Sequence, residues 1–252
     1  VQDMSTFAMR RVALAKVGHV PLLHASTQMD NRTAEKVAWL RDLGFTRAVL
    51  ARELSVDEIK AIHEAVPEVE LEVFVHGALC VSYSGQCYAS QCLFGRSANR
   101  GECAQVCRMS YDLVDADGRV VVKDRYLLSM KDMCQVDHLE QLADAGASSF
   151  KIEGRLKDAD SVKNVVAAYS QRLNEIIKRR GGDYRRASWG RVDYAFQPDL
   201  AKTFNPGYTD SFLRGRQHGL STMLTPKAPG QFVGPVKNLR RASFPLSGMA
   251  AL

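Results

Sequence analysis

A cysteine-rich segment, residues 72–108, constrains this chain more than any other feature. It holds five of the six cysteines. The segment starts as an alternating, strand-like run and then becomes rich in Gly, Ser and Cys, with no helical period. Long segments of this kind are uncommon in compact domains and are mostly functional. Because an apolar core cannot organise such a sequence, we expect clustered thiols to do so.

The cysteine spacing is C-x6-C-x4-C-x10-C-x3-C. Thiolates are soft ligands that select zinc or an iron–sulfur cluster. Structural zinc sites use two C-x2–4-C pairs. Cys103 and Cys107 form one, and Cys87 and Cys92, at the upper limit of this spacing, are a looser second. The uneven spacing therefore favours an iron–sulfur cluster, with zinc as the alternative. A set of small buried side chains without a metal is the third interpretation.

Composition and charge narrow the class of protein. No apolar run approaches the roughly 18 residues of a membrane span, and no signal peptide pattern opens the chain. These features predict a cytoplasmic protein with no membrane partner. In a reducing compartment, clustered cysteines are metal ligands or redox groups more often than disulfides. The formal net charge of +6 suits a polyanion such as RNA, although many soluble enzymes are as basic.

The order of predicted elements is strand–helix, repeated, which indicates parallel strands joined by right-handed crossovers. Strands are predicted at residues 21–27, 48–54, 71–77 and 148–155. Residues 1–3 resemble the end of a further strand. Spacing of about 25 residues fits a (β/α)₈ barrel, which needs eight strands. The fold class is therefore α/β, either as part of a TIM-type barrel or as an open sheet.

Changes in hydrophobic pattern and composition along the sequence divide the chain into three predicted regions. Residues 1–180 are predicted to form the partial (β/α) barrel, with residues 78–110 as an inserted cysteine-rich loop. Residues 181–228 are predicted to be an irregular linker that wraps the barrel. Residues 229–252 alternate like short strands and are predicted to begin a small β-domain.

Polar residues collect where the predicted strands end, which is where barrel enzymes place their chemistry. The sequence does not assign catalytic roles among them. The candidates are His24, Gln28, Arg52, Glu53, His76, Lys151, Glu153 and Arg155.

Several motifs together resemble peptidase family U32, the collagenase-like proteases. The main one is EVFVHGALCVSYSGQC at residues 72–87. The others are HASTQ at 24–28, VLAREL at 49–54, SANRGEC at 97–103, SMKDM at 129–133 and SFKIEGR at 149–155. The resemblance covers roughly residues 1–215. It is strongest to the branch that hydroxylates cytidine in 23S rRNA, and a sister branch makes 5-hydroxyuridine in tRNA.

This resemblance implies a TIM-type barrel of which the chain holds about strands 4–8, truncated at both ends. It implies a [4Fe–4S] cluster on Cys80, Cys87, Cys103 and Cys107. Cys92 is then an extra, and Cys134 is the rival for the fourth ligand position. It also implies prephenate as a co-substrate, for which arginines and lysines at the barrel mouth, Arg52, Lys151 and Arg155, can hold carboxylates. Salt bridges within the mouth are the alternative for these cations.

Three functions remain open from the sequence. The first is iron–sulfur-dependent hydroxylation of rRNA or tRNA, with an electron donor that the sequence does not identify. The second is the peptidase activity of the family name, acting on a peptide. No H-E-x-x-H motif and no clear Ser-His-Asp set supports it, although a cysteine paired with His24 or His76 is conceivable. The third is an inactive fragment whose barrel cannot close.

Overall fold

The computed structural model describes residues 1–18, 21–154, 157–190, 192–230, 232 and 234–236. Its strands and helices are numbered here in chain order. The strands are β1 (Leu23–Ala25), β2 (Phe45–Val49), β3 (Glu70–Ala78), β4 (Tyr111–Val114), β5 (Val120–Arg125), β6 (Asp132–Cys134), β7 (Ala147–Ile152) and β8 (Tyr208–Thr209). The helices are α1 (Met4–Val17), α2 (Ala34–Asp42), α3 (Val56–Ala65), α4 (Ala89–Phe94), α5 (Leu139–Asp144) and α6 (Ala159–Arg180).

Four parallel strands form the centre of the sheet. β1 pairs with β2, β2 with β3, and β3 with β7. The prediction of a parallel α/β arrangement is thus confirmed. In the described part of the chain β1 and β7 do not meet, so no closed barrel is present and the barrel prediction is not confirmed. β6 pairs antiparallel with the last residues of β3 and parallel with β8.

The strands begin and end at residues that differ from the predicted ones. β1 is shorter because Ser26 caps a 3₁₀ turn over Thr27–Met29. β2 lies earlier than predicted and ends at Val49, since the chain then leaves the sheet in a turn that contains Arg52 and Glu53. These departures lie at the ends of strands, where hydrophobic patterns locate boundaries least well.

The sequence predicts helix caps at Asn31 or Thr33, at Ser55 with Glu58, and at Asp158 or Asp160, the last for a long helix to about Arg180. Three helices begin at one of these residues. The Thr33 side chain accepts a hydrogen bond from the amide of Lys36, and Ser55 with Glu58 forms a complete capping box. Asp158 caps α6, which ends at Arg180 as expected. The largest fully buried side chains come from the central strands and the helices beside them, and include Leu40, Leu50, Leu71, Leu139 and Leu142. In the described residues, no helix has both the length and the apolar character that crossing a membrane requires.

The cysteine-rich segment has more regular structure than the sequence predicts. It contains the short helix α4 and 3₁₀ turns at Tyr83–Gly85, Ala98–Arg100 and Val106–Arg108. The expectation of a loop without helices is therefore wrong. Gly95 ends α4 with a left-handed backbone, so the helix is too short to produce a visible period. The sequence of residues 111–126 predicts a hairpin, which the structure confirms as β4 and β5.

The first three residues and the part of the described chain after α6 are largely irregular. Val1 is not part of a strand, but its amino group donates to the His24 carbonyl at 2.7 Å and its carbonyl accepts from the amide of Ser26 at 2.7 Å. Residues 181–190 and 192–230 contain one 3₁₀ turn and β8. Their role as a linker that wraps a barrel stays a prediction. The predicted small β-domain lies mostly outside the described residues.

Candidate functional site

A cavity of about 290 Å³ opens where β2 and β3 end. Arg52 and Glu53 come to it from the turn after β2, and residues 79–83 come from the segment after β3. Met130, Phe212 and Leu220 complete its wall. The cavity therefore joins two of the predicted rim residues with the first cysteine of the segment, Cys80.

The Cys80 thiol lies within electrostatic reach of the thiols of Cys87, Cys103 and Cys107. Surrounding protein atoms partly desolvate the Cys80 thiol and raise its pKa, and the neighbouring thiols of Cys87 and Cys103 raise it further. Burial likewise raises the pKa of Cys107, and Cys80 and Cys103 add to the shift. Thiols separated by up to 27 positions in sequence thus lie within electrostatic reach of one another.

Cys103 has the most defined surroundings of the four. Its Sγ accepts a hydrogen bond from the backbone amide of Gln105 at 3.3 Å and a weak one from the Ser90 hydroxyl at 3.9 Å. Ser90 is fully buried in α4 and its hydroxyl also accepts from the amide of Ala104 at 3.0 Å. Two donors, one from the backbone and one from a buried side chain, therefore fix the position of the Cys103 sulfur.

The remaining cysteines differ in their surroundings. Cys92 is exposed on α4. Cys134 lies in β6, where the hydroxyl of Tyr169 approaches its Sγ at 3.8 Å, and burial raises its pKa. The described residues contain no group of three or more His, Cys, Asp or Glu side chains already arranged as metal ligands. A metal centre shared by the four predicted ligands therefore stays a prediction.

Glu53 is a loop anchor in this structure. Its carboxylate accepts the backbone amide of Ser84 at 2.8 Å and the Ser84 hydroxyl at 2.6 Å. Ser84 is buried and has a φ of 32°, which non-glycine residues rarely adopt. Glu53 thus holds in place the loop that joins Cys80 to Cys87.

The predicted cations of the rim are already paired with carboxylates. Arg52 donates to Glu153 at 2.8 Å and lies 3.7 Å from the centre of the Phe74 ring. Lys151 is 3.7 Å from Glu72. For these two cations the salt-bridge alternative is confirmed. A guanidinium has five N–H donors, so Arg52 can still bind a carboxylate in the cavity.

Gly77 allows the approach of β3 to the residues after β7. It has a φ of 131°, and a Cβ at this position would lie 2.4 Å from the carbonyl oxygen of Glu153. The Glu153 amide donates to the carbonyl of His76 at 2.9 Å. This close contact places the Glu153 side chain beside Arg52.

His76 is buried behind the cavity wall and does not line the cavity. Its Nδ1 is 3.3 Å from the hydroxyl of Tyr169, and its ring also contacts the ring of Tyr208. Burial, together with the positive charge of Lys157, lowers the pKa of His76 to about 4. The imidazole is therefore neutral at physiological pH, and its contacts with Tyr169 and Tyr208 are those of a buried structural residue.

The other predicted candidates are more scattered. His24 is exposed on β1. The Gln28 side chain donates to the carbonyl of Asn99 at 3.3 Å and so contacts the cysteine-rich segment. Arg155 lies outside the described residues.

Sequence reasoning missed a buried charged cluster formed by Arg108, Asp132 and Lys157. Asp132 is 2% exposed, and its carboxylate is 3.0 Å from Lys157 and 3.8 Å from Arg108. Arg108 directly follows Cys107, and Asp132 lies in SMKDM, one of the quoted motifs. The motif around Asp132 and the place of Arg108 beside a cysteine were the available signals, but only the fold brings the three residues together.

The model of the family described as peptidase family U32 matches residues 1–223. This chain therefore belongs to that family. The family resemblance stated from the motifs is confirmed.

Curated relatives in the family have different names. The chain is 54% identical to the 23S rRNA 5-hydroxycytidine synthase of Escherichia coli over 214 residues, which is 85% of this chain and 32% of that protein. It is 34% identical to a collagenase of Porphyromonas gingivalis, over 78% of this chain and 49% of that protein. It is also 34% identical to tRNA hydroxylation protein P1 of Bacillus subtilis, over 75% of this chain and 47% of that protein.

The chain spans about a third to a half of the length of these relatives. No solved structure matches it.

Proposed function

We propose that this chain is part of an iron–sulfur-dependent RNA hydroxylase that modifies a base in rRNA or tRNA. The observation that carries the proposal is the position of Cys80 in the wall of the cavity at the ends of β2 and β3, within electrostatic reach of Cys87, Cys103 and Cys107. The names of the rRNA and tRNA relatives support the RNA substrate. The net charge of +6 favours binding to phosphates.

The four thiols suit a [4Fe–4S] cluster by their chemistry, because soft thiolates are the ligands that such clusters use. Zinc is the alternative for the same donors. When bound, the cluster would supply electron transfer close to the cavity. The chain would provide the thiolates, the hydrogen bonds to Cys103 and the anchoring of the loop by Glu53.

The cavity is the proposed place for the reacting molecules. A base flipped out of its stack presents an aromatic face, and the apolar wall of Met130, Phe212 and Leu220 suits it. Arg52 would bind a carboxylate of prephenate, the proposed co-substrate, through a charge-assisted hydrogen bond. We further propose that the four parallel strands are part of a (β/α)₈ barrel in the longer proteins of the family.

Metal analysis tests the cluster. The protein is purified without oxygen and reconstituted with iron and sulfide. We expect about four iron and four sulfide per chain and a broad absorbance band near 400 nm. If the protein binds zinc and no iron, the cluster hypothesis is wrong and the zinc alternative holds. A metal-free, colourless protein would refute both hypotheses.

Mass spectrometry of rRNA and tRNA from a strain lacking the gene tests the reaction. One hydroxylated base should disappear and should return with the wild-type gene, but not with a Cys80→Ser gene. Unchanged RNA would refute the hydroxylase. The collagenase relative keeps the peptidase as a second candidate, and peptide cleavage that survives Cys80→Ser would favour it.

A further inference from the structure

The Arg108 side chain connects the second half of the cysteine-rich segment to the sheet. Its Nη1 donates to the Ser129 hydroxyl at 2.8 Å and to the carbonyl oxygen of Met130. Its Nη2 donates to the carbonyl of Leu79 at 3.5 Å and lies 3.8 Å from Asp132. These partners lie near the start of β6 and just beyond the end of β3.

The contacts of Arg108 link two parts of the chain that each contain a cysteine of the predicted ligand set. Arg108 immediately follows Cys107, and Leu79 immediately precedes Cys80. The hydrogen bond from the Arg108 guanidinium to the Leu79 carbonyl therefore links the chain at Cys107 to the chain at Cys80. Ser129 is fully buried, so this end of the bridge is fixed in the protein interior.

We propose that Arg108 is a positioning residue that holds the backbone at Cys107 close to that at Cys80 and places a fixed positive charge next to Cys107. The inference rests on the proposed function, because it concerns the four thiols assigned there to the cluster. A planar guanidinium is needed since it donates in several directions at once, which an ammonium on a flexible stem does not do.

Removing Arg108 leaves the rest of the buried charged cluster paired. Lys157 lies 3.0 Å from Asp132 and remains its partner. Arg108→Gln should therefore fold, and its effect should be confined to the cysteine-rich segment. Arg108→Lys keeps the positive charge but loses the planar set of donors. This variant therefore separates the role of the charge from that of the hydrogen-bond geometry. Arg100→Gln removes the same charge from an exposed position of the same segment and is the matched control.

Hydrogen exchange in the metal-free protein tests the positioning role without a cluster. In Arg108→Gln we expect the amides of residues 103–110 to exchange about tenfold faster than in the wild type, because a charge-assisted bridge is lost. Arg108→Lys should be intermediate, and Arg100→Gln unchanged. Equal exchange in Arg108→Gln and the wild type would overturn the inference. If Arg108→Gln does not fold, Arg108→Lys decides the question in the same way.

The reconstituted protein gives the second readout. Arg108→Gln should release iron to a chelator at about tenfold lower concentration than the wild type. Its midpoint potential should be lower, since a lost positive charge disfavours addition of an electron, whereas Arg108→Lys should retain the wild-type potential. Wild-type protein that takes up no iron would refute the proposed function and leave the exchange experiment to decide on Arg108. Wild-type and Arg108→Gln clusters with equal iron retention and potential would refute the role of Arg108 alone.

Discussion

The Glu53 carboxylate accepts two hydrogen bonds from Ser84, one from its amide at 2.8 Å and one from its hydroxyl at 2.6 Å. This pair fixes a left-handed residue in the middle of the loop between Cys80 and Cys87. A residue predicted as a catalytic candidate therefore has a defined structural role. The position of the loop depends on a side chain from the turn after β2.

Glu53→Ala should lower the free energy of unfolding by about 2 kcal/mol, because it removes two charge-assisted bonds and leaves the buried Ser84 hydroxyl unpaired. Glu64→Ala is the control, since Glu64 forms an exposed pair with Lys60 one turn away on α3. We expect it to cost about 0.5 kcal/mol or less. Denaturant unfolding measures both. Equal effects of the two substitutions would contradict the anchoring role.

Gly77→Ala should destabilise the protein by more than a backbone penalty alone. The new Cβ would lie 2.4 Å from the Glu153 carbonyl oxygen, so β3 and the residues after β7 would have to separate. Gly118→Ala is the control, because Gly118 also has a positive φ but has open space around it. We expect about 1 kcal/mol for Gly118→Ala and about 3 kcal/mol for Gly77→Ala by denaturant unfolding. Equal losses would show that the contact with Glu153 is unimportant.

Single Cys→Ser substitutions should divide the six cysteines into two groups. Substitution of Cys80, Cys87, Cys103 or Cys107 should reduce iron content after reconstitution to well below that of the wild type, because serine is a poor ligand for a soft metal centre. Cys92→Ser and Cys134→Ser should retain full iron content. Iron loss in Cys134→Ser with retention in one of the four would place Cys134 among the ligands instead.

The buried His76 should make stability depend on pH. Its pKa is lowered to about 4 from 6.5, so below pH 6.5 the unfolded chain binds a proton that the folded chain does not. The free energy of unfolding should therefore fall by about 3 kcal/mol between pH 7 and pH 4. The charged and titratable groups around His76 are Lys157, Tyr169, Tyr208 and Cys134.

His76→Gln tests this assignment by urea unfolding at several pH values. The variant should lose less stability on acidification than the wild type, by about 3 kcal/mol. His24→Gln, at an exposed position of β1, is the matched control. An unchanged pH dependence in His76→Gln would contradict the assignment.

A double-mutant cycle measures the coupling between Arg52 and Glu153. The Arg52 side chain is 13% exposed and that of Glu153 is 34% exposed, so the coupling should exceed that of a surface pair and reach about 1 kcal/mol. The variants are Arg52→Gln, Glu153→Gln and the double substitution, compared by unfolding in denaturant. A coupling near zero would mean that Arg52 is available to a ligand rather than held by Glu153.

The sequence by itself determined the elements whose signals are local. Three helix starts are predicted to within a few residues, because a cap depends on residues within one turn. Of the alternatives, the structure uses Thr33 rather than Asn31 and Asp158 rather than Asp160, and it confirms Ser55 with Glu58. The order of parallel strands and helices also follows from the sequence. The cysteine spacing and the surrounding motifs identified the segment that carries the candidate site.

Only the tertiary structure decided which distant residues meet. The pairing of Arg52 with Glu153 joins residues 101 positions apart, and that of Glu53 with Ser84 joins residues 31 apart. Such contacts depend on how strands and loops pack, which local propensity does not encode. The same holds for Arg108, which sequence analysis overlooked because its partners Leu79, Ser129 and Asp132 become its neighbours only when β3 pairs with β6.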